Sequence, residues 1–267
     1  CFDFLEIKTM RISLYQFVVG CLLVFVVSCQ PKTIPDLTDT NRVTPSTTYI
    51  FSKLEARQSA IHDIKAFIRT NISGENFNQS FRQAILIKGH DELRVDTYNL
   101  FRQVLGSLIY KGGETLMYDP REKKIILGEE VRENMRRVLG TYIDFRQYII
   151  VFSGGIPNLA HLQVKIVRWD GDKTAYQIGM INKKTREKID ITVEANTLLL
   201  KSLILTRDDQ EAYRVYWSDY KKVDSLSFAH KVVIKSKKKT VLLKYSDVMI
   251  NQGIASDAFG FAEELMR

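Results

Sequence analysis

Apolar and polar residues alternate with a period of two along most of the chain after residue 77. Alternating or β-branched runs occur at residues 80–88, 92–98, 104–110, 115–118, 124–127, 162–169, 174–181, 187–193, 198–205, 211–219, 227–235 and 240–249. Gly, Asn and Asp clusters separate many of these runs, as is typical of short turns. About eleven strands with such short links predict a mainly β (α+β) fold built on one large, strongly curved antiparallel sheet.

Three segments show the spacing of helices instead. In residues 49–70 one helical face is apolar, and the string NISGEN ends the segment; that face comprises Ile50, Leu54, Ile61, Ile64 and Ile68. Residues 129–139 predict a helix that stops at Gly140, with an apolar stripe of Val131, Met135, Val138 and Leu139. Residues 144–152 predict a second short helix that SGGIP closes. We expect the last two helices to pack across the open mouth of the curved sheet.

The string MRISLYQFVVGCLLVFVVSC, which begins at Met10, has the layout of a secretory signal peptide. Arg11 precedes an apolar run, and Cys29 directly follows the expected cut, as in the lipobox of bacterial lipoproteins. The alternative is a membrane anchor, but residues 12–27 fall short of the roughly 20 residues that span a bilayer. We therefore predict upstream residues and a signal peptide over 1–28, with residues 1–9 before the true start, and lipidation of Cys29.

Removal of the signal peptide would leave Cys29 as the one thiol, because the other two cysteines are Cys1 and Cys21. This excludes a disulfide framework and a cysteine metal site. Residues 30–48 hold three of the five prolines and no aromatic residue. They predict a flexible tether over residues 29–48, followed by a single domain over residues 49–267.

The formal net charge is +8. For an envelope protein the expected anions are lipid headgroups and acidic partner surfaces rather than nucleic acid. The string KSKKK at 235–239 is interpreted as a solvated hairpin end, or alternatively as a contact with anionic headgroups. The four histidines have no metal-ligand spacing and no catalytic motif occurs, so we expect no cofactor, no metal and no enzymatic activity.

Three strings, in order along the chain, resemble one protein family. They are ELRVDTYNLFRQVLGSLIYKGGETLMYDPREKK, ENMRRVLGTYIDFRQYIIVFSGGIP and SDYKKVDSLSFAHKVVIKSKKKTVLLKYSDVMIN. Their succession of hairpins, helices and terminal strand pair is similar to the LolA/LolB family, the periplasmic lipoprotein carrier and its outer-membrane receptor. Cys29 makes the LolB-like lipoprotein branch the closer of the two. The resemblance implies an incomplete β-barrel closed by helices around an apolar cavity that holds acyl chains.

The resemblance also implies roles for particular residues. Candidates for the acyl cavity are Phe81, Ile85, Ile87, Leu116, Tyr118, Met135, Leu139, Phe145 and Ile149; the alternative is that they fill a core. Leu100, Phe101 and Arg102 would form a membrane-insertion loop, because the family carries Asn/Asp-Pro-Leu-Gly at this hairpin. This chain lacks the Pro and the Gly, and the alternative is that Leu100 and Phe101 fold back onto a neighbouring helix.

The function implied is that of a monomeric lipoprotein anchored at the periplasmic face of the outer membrane. It would bind acyl chains of lipoproteins, or of other acylated envelope molecules, and aid their insertion into that membrane. A periplasmic LolA-like carrier would be its partner, and Gln30 after the lipidated cysteine favours outer-membrane delivery. Two alternatives remain open: a scaffold lipoprotein of envelope assembly with a filled core, and an envelope hydrolase.

Overall fold

The computed structural model describes residues 45–139 and 144–260. In chain order its elements are helix α1 (Thr47–Ser59), strands β1 (Asp63–Gly74), β2 (Phe77–Lys88), β3 (Glu92–Tyr98), β4 (Val104–Lys111), β5 (Glu114–Asp119) and β6 (Lys124–Leu127), helices α2 (Gly128–Leu139) and α3 (Phe145–Phe152), and strands β7 (Leu162–Trp169), β8 (Ala175–Asn182), β9 (Lys188–Glu194), β10 (Leu200–Arg207), β11 (Gln210–Val223), β12 (Leu226–Lys235) and β13 (Lys239–Ile250). Two short 3₁₀ helices, Leu159–His161 and Ser256–Phe259, complete the described part.

All thirteen described strands belong to one antiparallel sheet with the order β6-β5-β4-β3-β2-β1-β13-β12-β11-β10-β9-β8-β7. The first and last strands pair in the middle, with Ile68 opposite Tyr245. Strands β6 and β7 are the two edges, so within the described residues the sheet is curled but not closed. The prediction of a mainly β, strongly curved antiparallel sheet is confirmed. The predicted count of about eleven strands is wrong, because the described part has thirteen, and closure of an incomplete barrel by the helices stays a prediction.

The extra strand lies where a helix was predicted. The prediction of a helix over residues 49–70 is wrong after residue 59, where α1 ends. Ile64 and Ile68 are four residues apart, a spacing that places two residues on one face of a helix and equally on one face of a strand. Ala66 and Thr70 between and beyond them are also buried, as a period of two requires. Pairing with both β2 and β13 along its length makes this segment a central strand.

The two later helices occupy the predicted positions. Asp144 caps α3, and its Oδ1 accepts a hydrogen bond from the backbone N–H of Arg146 at 3.0 Å. Trp217 Nε1 donates to the carbonyl oxygen of Val151 at 3.0 Å, and Tyr245 Oη donates to that of Phe152 at 3.2 Å. These bonds hold the end of α3 against β11 and β13, so the helix packs against the sheet.

The N-terminal predictions fall mostly outside the described residues. These include residues 1–28, Cys29 and the tether as far as residue 44. Thr47 and Thr48, assigned to the tether, instead begin α1, because the Ser46 side chain caps that helix by accepting from Tyr49 N at 3.2 Å. In the part that is described, none of the helices has the length and apolar character needed to cross a bilayer.

Candidate functional site

A cavity of about 370 Å³ lies between one face of the sheet and helices α2 and α3. We call this face the cavity face and the opposite one the outer face. Most of the lining side chains are aliphatic or aromatic. The lining residues are Ile68, Thr70, Ile72, Phe81, Gln83, Ile85, Leu93, Val95, Thr97, Leu105, Gly106, Ser107, Leu108, Met117, Met135, Val138, Leu139, Phe145, Tyr148, Phe152, Ile234, Ser236, Lys239, Val241 and Leu243.

The cavity suits an apolar ligand. Its volume falls at the small end of the roughly 300–1,000 Å³ that small-molecule sites occupy. No carboxylate is among the described residues that line it, and groups of three or more His, Cys, Asp or Glu side chains fit for a metal are not found in the described part. A chain of methylene groups transferred into such a space gains about 0.8 kcal/mol per CH₂.

A short polar ladder interrupts the apolar lining. Thr70 Oγ1 donates to Gln83 Oε1 at 2.6 Å, and Gln83 Nε2 donates to Thr97 Oγ1 at 3.0 Å. These three residues lie on adjacent strands β1, β2 and β3. Each hydrogen bond satisfies a group that would otherwise be costly to bury. The second N–H of the Gln83 amide has no partner among the described residues and could donate to a polar atom of a ligand.

Tyr148 supplies a second polar group at the cavity. Its side chain is buried, and its hydroxyl has no hydrogen-bond partner among the described residues. Burial raises the pKa of the Tyr148 phenol to about 12, because the charged phenolate would be poorly solvated there. The phenol therefore stays protonated at physiological pH and can donate to an ester, amide or carboxyl oxygen.

Lys239 marks one end of the cavity and is the one charged side chain in its described lining. Its Nζ donates to the carbonyl oxygens of Arg137 at 2.9 Å and Val138 at 2.8 Å. Those carbonyls end α2, where a cation also interacts favourably with the helix dipole. The same ammonium lies 4.2 Å from the centre of the Phe77 ring. Lys239 thus ties the helix that covers the cavity to the start of β13.

Five of the nine side chains predicted for the cavity line it: Phe81, Ile85, Met135, Leu139 and Phe145. The other four do not. Ile87 and Ile149 are buried in the continuous core. Leu116 and Tyr118 belong to the outer face, because they flank Met117, which pairs with Leu108 and lines the cavity with it, and neighbouring residues of a strand point to opposite faces. The assignment of β5 was one residue out of phase, which exchanges the two faces of a strand.

Sequence reasoning missed four cavity residues that carry distinct chemistry: Thr97, Met117, Tyr148 and Lys239. A signal for the polar ladder was present, because Gln83 interrupts the apolar alternation of Phe81 and Ile85 on one strand face. The hydrogen bonds of Lys239 to α2 join residues about 100 positions apart, and no local pattern indicates them.

The turn between β3 and β4, residues 99–103, exposes two large apolar side chains. Leu100 is 76% exposed and Phe101 is 84% exposed, so neither folds back onto a helix. Asn99 organises the turn: its Oδ1 accepts from the backbone N–H of Phe101 at 2.8 Å and of Gln103 at 3.0 Å. Arg102 adopts the left-handed conformation, with φ of 63°, at the position where the LolB-like pattern has Gly. The apolar tip is therefore built without Pro or Gly.

This tip lies at the ends of the strands, on the side of the sheet where five other turns also lie, because consecutive antiparallel strands alternate in direction. The edge comprises residues 75–76, 99–103, 120–123, 183–187, 208–209 and 236–238, and we call it the tip edge. Eight cations lie in these turns: Arg102, Arg121, Lys123, Lys183, Lys184, Arg186, Lys237 and Lys238. Five carboxylates accompany them: Glu75, Glu122, Glu187, Asp208 and Asp209. The tip edge therefore combines a net positive charge with exposed apolar side chains.

Comparison with solved structures places this architecture among known folds. An outer membrane lipoprotein-sorting protein domain from Vibrio parahaemolyticus matches with a TM-score of 0.61 at 11% identity, covering 82% of this chain and 97% of that one. A LolA superfamily protein from Nitrosomonas europaea matches with a TM-score of 0.58 at 10% identity, covering 81% and 98%. The chain has a LolA-like fold.

A DUF1329 family protein from Desulfovibrio piger shares this LolA-like fold, with a TM-score of 0.62 at 12% identity over 80% of this chain and 97% of that one. No family model matches the sequence, and no curated protein matches it. The resemblance to the LolA/LolB family is thus confirmed at the level of the fold, and the matches do not distinguish the LolB-like branch.

Proposed function

We propose that this protein is a lipid-anchored envelope protein that binds acyl chains of lipoproteins, or of other acylated envelope molecules, and passes them into the outer membrane. Cys29 would carry the anchor at the periplasmic face, and residues 30–46 would tether the domain to it. A LolA-like carrier would deliver the cargo. Binding and transfer, not catalysis, would be the activity.

The apolar cavity is the observation that carries this proposal. A scaffold protein with a filled core would have no use for about 370 Å³ of space lined by aliphatic and aromatic side chains. Because every CH₂ is worth about 0.8 kcal/mol on leaving water, an acyl chain cannot cross the periplasm unshielded. Transfer from one apolar cavity to another, or to a bilayer, exchanges similar environments and needs no ATP at the receptor.

The exposed tip supports a membrane-facing orientation. Phe101 and Leu100 would enter the boundary between headgroups and acyl chains, at a depth of about 5–10 Å. Arg102 and the other cations of the tip edge would then lie at the level of the lipid phosphates, where each contributes up to about 1 kcal/mol with anionic lipids. The turn KSKKK, with Lys237 and Lys238 on this edge, favours the headgroup interpretation over a merely solvated hairpin end.

The test measures the binding of a dansyl-labelled fatty acid to the purified protein, with dansyl fluorescence as the readout. Val95 lines the cavity, so Val95→Phe should fill part of it and weaken binding about tenfold, the equivalent of roughly two displaced methylene groups. Val233 lies on β12 outside the cavity lining, and Val233→Phe is the matched control. Equal binding by both variants, or no binding by the unchanged protein, would remove the basis of the proposal.

A further inference from the structure

Four basic residues form a straight row across the middle of the sheet. Arg82 on β2 pairs directly with Arg69 on β1, Arg69 with Lys244 on β13, and Lys244 with Lys231 on β12. Directly paired residues of antiparallel strands point to the same face. We call these four residues the cation row.

The cation row lies on the outer face and is open to solvent. All four side chains are exposed, whereas the strand neighbours Ile68, Leu243 and Val232 are buried on the cavity side. With the strands about 4.8 Å apart, the four cations span roughly 14 Å.

Nothing in the described part of the chain neutralises this row. None of its four side chains takes part in an ion pair or a side-chain hydrogen bond with another described residue, although other strand cations, such as Arg94 with Asp96 and Arg207 with Glu187, do have carboxylate partners. Like charges directly opposite each other on neighbouring strands are destabilising. Three successive unfavourable pairs in the centre of the sheet therefore lower the stability of the fold, and no interaction within the described part of the domain compensates for them.

Apolar side chains flank the row on the same face. Phe67, two residues from Arg69 on β1, is 55% exposed, and Met249 on β13 is 49% exposed. Aromatic, Met and Arg side chains are the types enriched at protein interfaces. Cations beside an exposed aromatic ring thus form a surface suited to an acidic partner with an apolar anchor.

The position of the row argues against a membrane as that partner. Arg69 lies five residues before the end of β1 at the tip edge, a distance of about 16 Å along the strand. A bilayer that touches the tip edge would not reach it. The cation row is therefore a second surface, separate from the tip and from the cavity.

The geometry points to a docking site for an acidic amphipathic helix of a partner protein, lying across β2, β1, β13 and β12. Acidic side chains that are three or four residues apart on a helix lie about 5–6 Å from each other. This distance matches the interstrand spacing of the four cations. About ten residues of helix cover the length of the row at 1.5 Å per residue. An apolar side chain at the edge of the acidic stripe packs on Phe67.

Fluorescence polarisation with a dye-labelled helical peptide tests this assignment. The peptide carries Glu at i, i+3 and i+7 of repeated Ala-rich heptads with one Leu beside the stripe, and a second peptide carries Gln in place of Glu. The purified chain should bind the Glu peptide and not the Gln peptide, and the binding should weaken steeply as salt is raised. The double variant Arg69→Gln/Lys244→Gln should weaken binding about tenfold.

A charge-matched control is the double variant Lys53→Gln/Lys173→Gln, which removes two exposed cations, one on α1 and one in the turn between β7 and β8 at the far side of the sheet. It should bind the Glu peptide within about twofold of the unchanged protein. Thermal unfolding is a second readout: removal of two members of the row should raise Tm, because it relieves the like-charge pairs. Equal peptide binding by the two double variants would overturn the assignment. So would row-dependent binding to vesicles rich in anionic phospholipid without binding to the Glu peptide, which would mean a membrane surface.

Discussion

The apolar tip yields the sharpest prediction about membrane contact, through the substitution Phe101→Glu. Phe101 is 84% exposed, so almost all of its apolar surface is still available for burial in a bilayer. Burying a Phe side chain is worth about 2 kcal/mol, and a carboxylate placed near anionic headgroups costs about 1 kcal/mol more. The total of about 3 kcal/mol corresponds to roughly a hundredfold weaker partitioning into vesicles.

The fold should tolerate this substitution. Phe101 contributes its backbone N–H to the turn, as a donor to Asn99 Oδ1, and a glutamate keeps that bond. Tm and binding of a dansyl-labelled fatty acid should therefore remain unchanged. The loss should be confined to the membrane step.

The assay is co-sedimentation with vesicles containing anionic phospholipid, followed by transfer of an acylated peptide from protein to vesicle. Cys29→Ser in every variant removes the proposed lipid anchor, which would otherwise dominate binding. Phe67→Glu is the matched control, because Phe67 is an exposed Phe far from the tip edge. Refutation would be co-sedimentation and transfer by Phe101→Glu at the level of Phe67→Glu.

Three further predictions concern the helices and the cavity. Lys239→Met should loosen α2, because it removes both hydrogen bonds to the carbonyls that end the helix. Amide hydrogen exchange of residues 128–139 should accelerate, corresponding to a loss of about 1–2 kcal/mol in the local free energy of opening. Unchanged exchange would contradict this role of Lys239. Trp217→Phe should lower the free energy of unfolding by about 0.5–1.5 kcal/mol in urea titrations. The carbonyl oxygen of Val151 loses the Trp217 donor but keeps the backbone N–H of Gly154, and a change near zero would count against this anchor of α3. The pKa of Tyr148 is about 12 in the folded protein against 10.0 in the unfolded chain, so the unfolded chain releases this proton first. The contribution of the buried, protonated phenol to the free energy of unfolding is therefore complete below pH 10 and is lost as pH rises to about 12. Between neutral pH and pH 11, the free energy of unfolding of Tyr148→Phe should therefore fall by about 1.4 kcal/mol less than that of the unchanged protein. Equal falls for the two proteins in urea unfolding would refute the burial of this phenol.

Features that depend on local chemistry were predictable from the sequence. The boundaries of α3 follow from Asp144 as cap and the apolar spacing after it. Most strands were found because a half-buried strand alternates strictly. The exposed tip was also accessible, because large apolar side chains between two alternating runs are unusual for a turn.

Features that depend on which strands pair with each other were not predictable from the sequence. Strand β1 was hidden because Ile64 and Ile68 satisfy both the helical and the strand period, and its partner β13 begins more than 160 residues later. The phase of β5 was misassigned because Leu116, Met117 and Tyr118 are all apolar in bulk, so that either face was a plausible cavity face. Which of two such faces meets a cavity is decided by the register with β4, and register is a property of the assembled sheet.

The measurement that tests the central claim most directly is native mass spectrometry of the protein purified from a bacterial periplasm with Cys29→Ser. The account predicts a copurified acyl-bearing molecule, either a lipoprotein or a phospholipid, whose occupancy falls in Val95→Phe and persists in Val233→Phe. A bare protein mass in all three, with no uptake of an added acylated peptide, would contradict it and would mean that the cavity does not bind acyl chains.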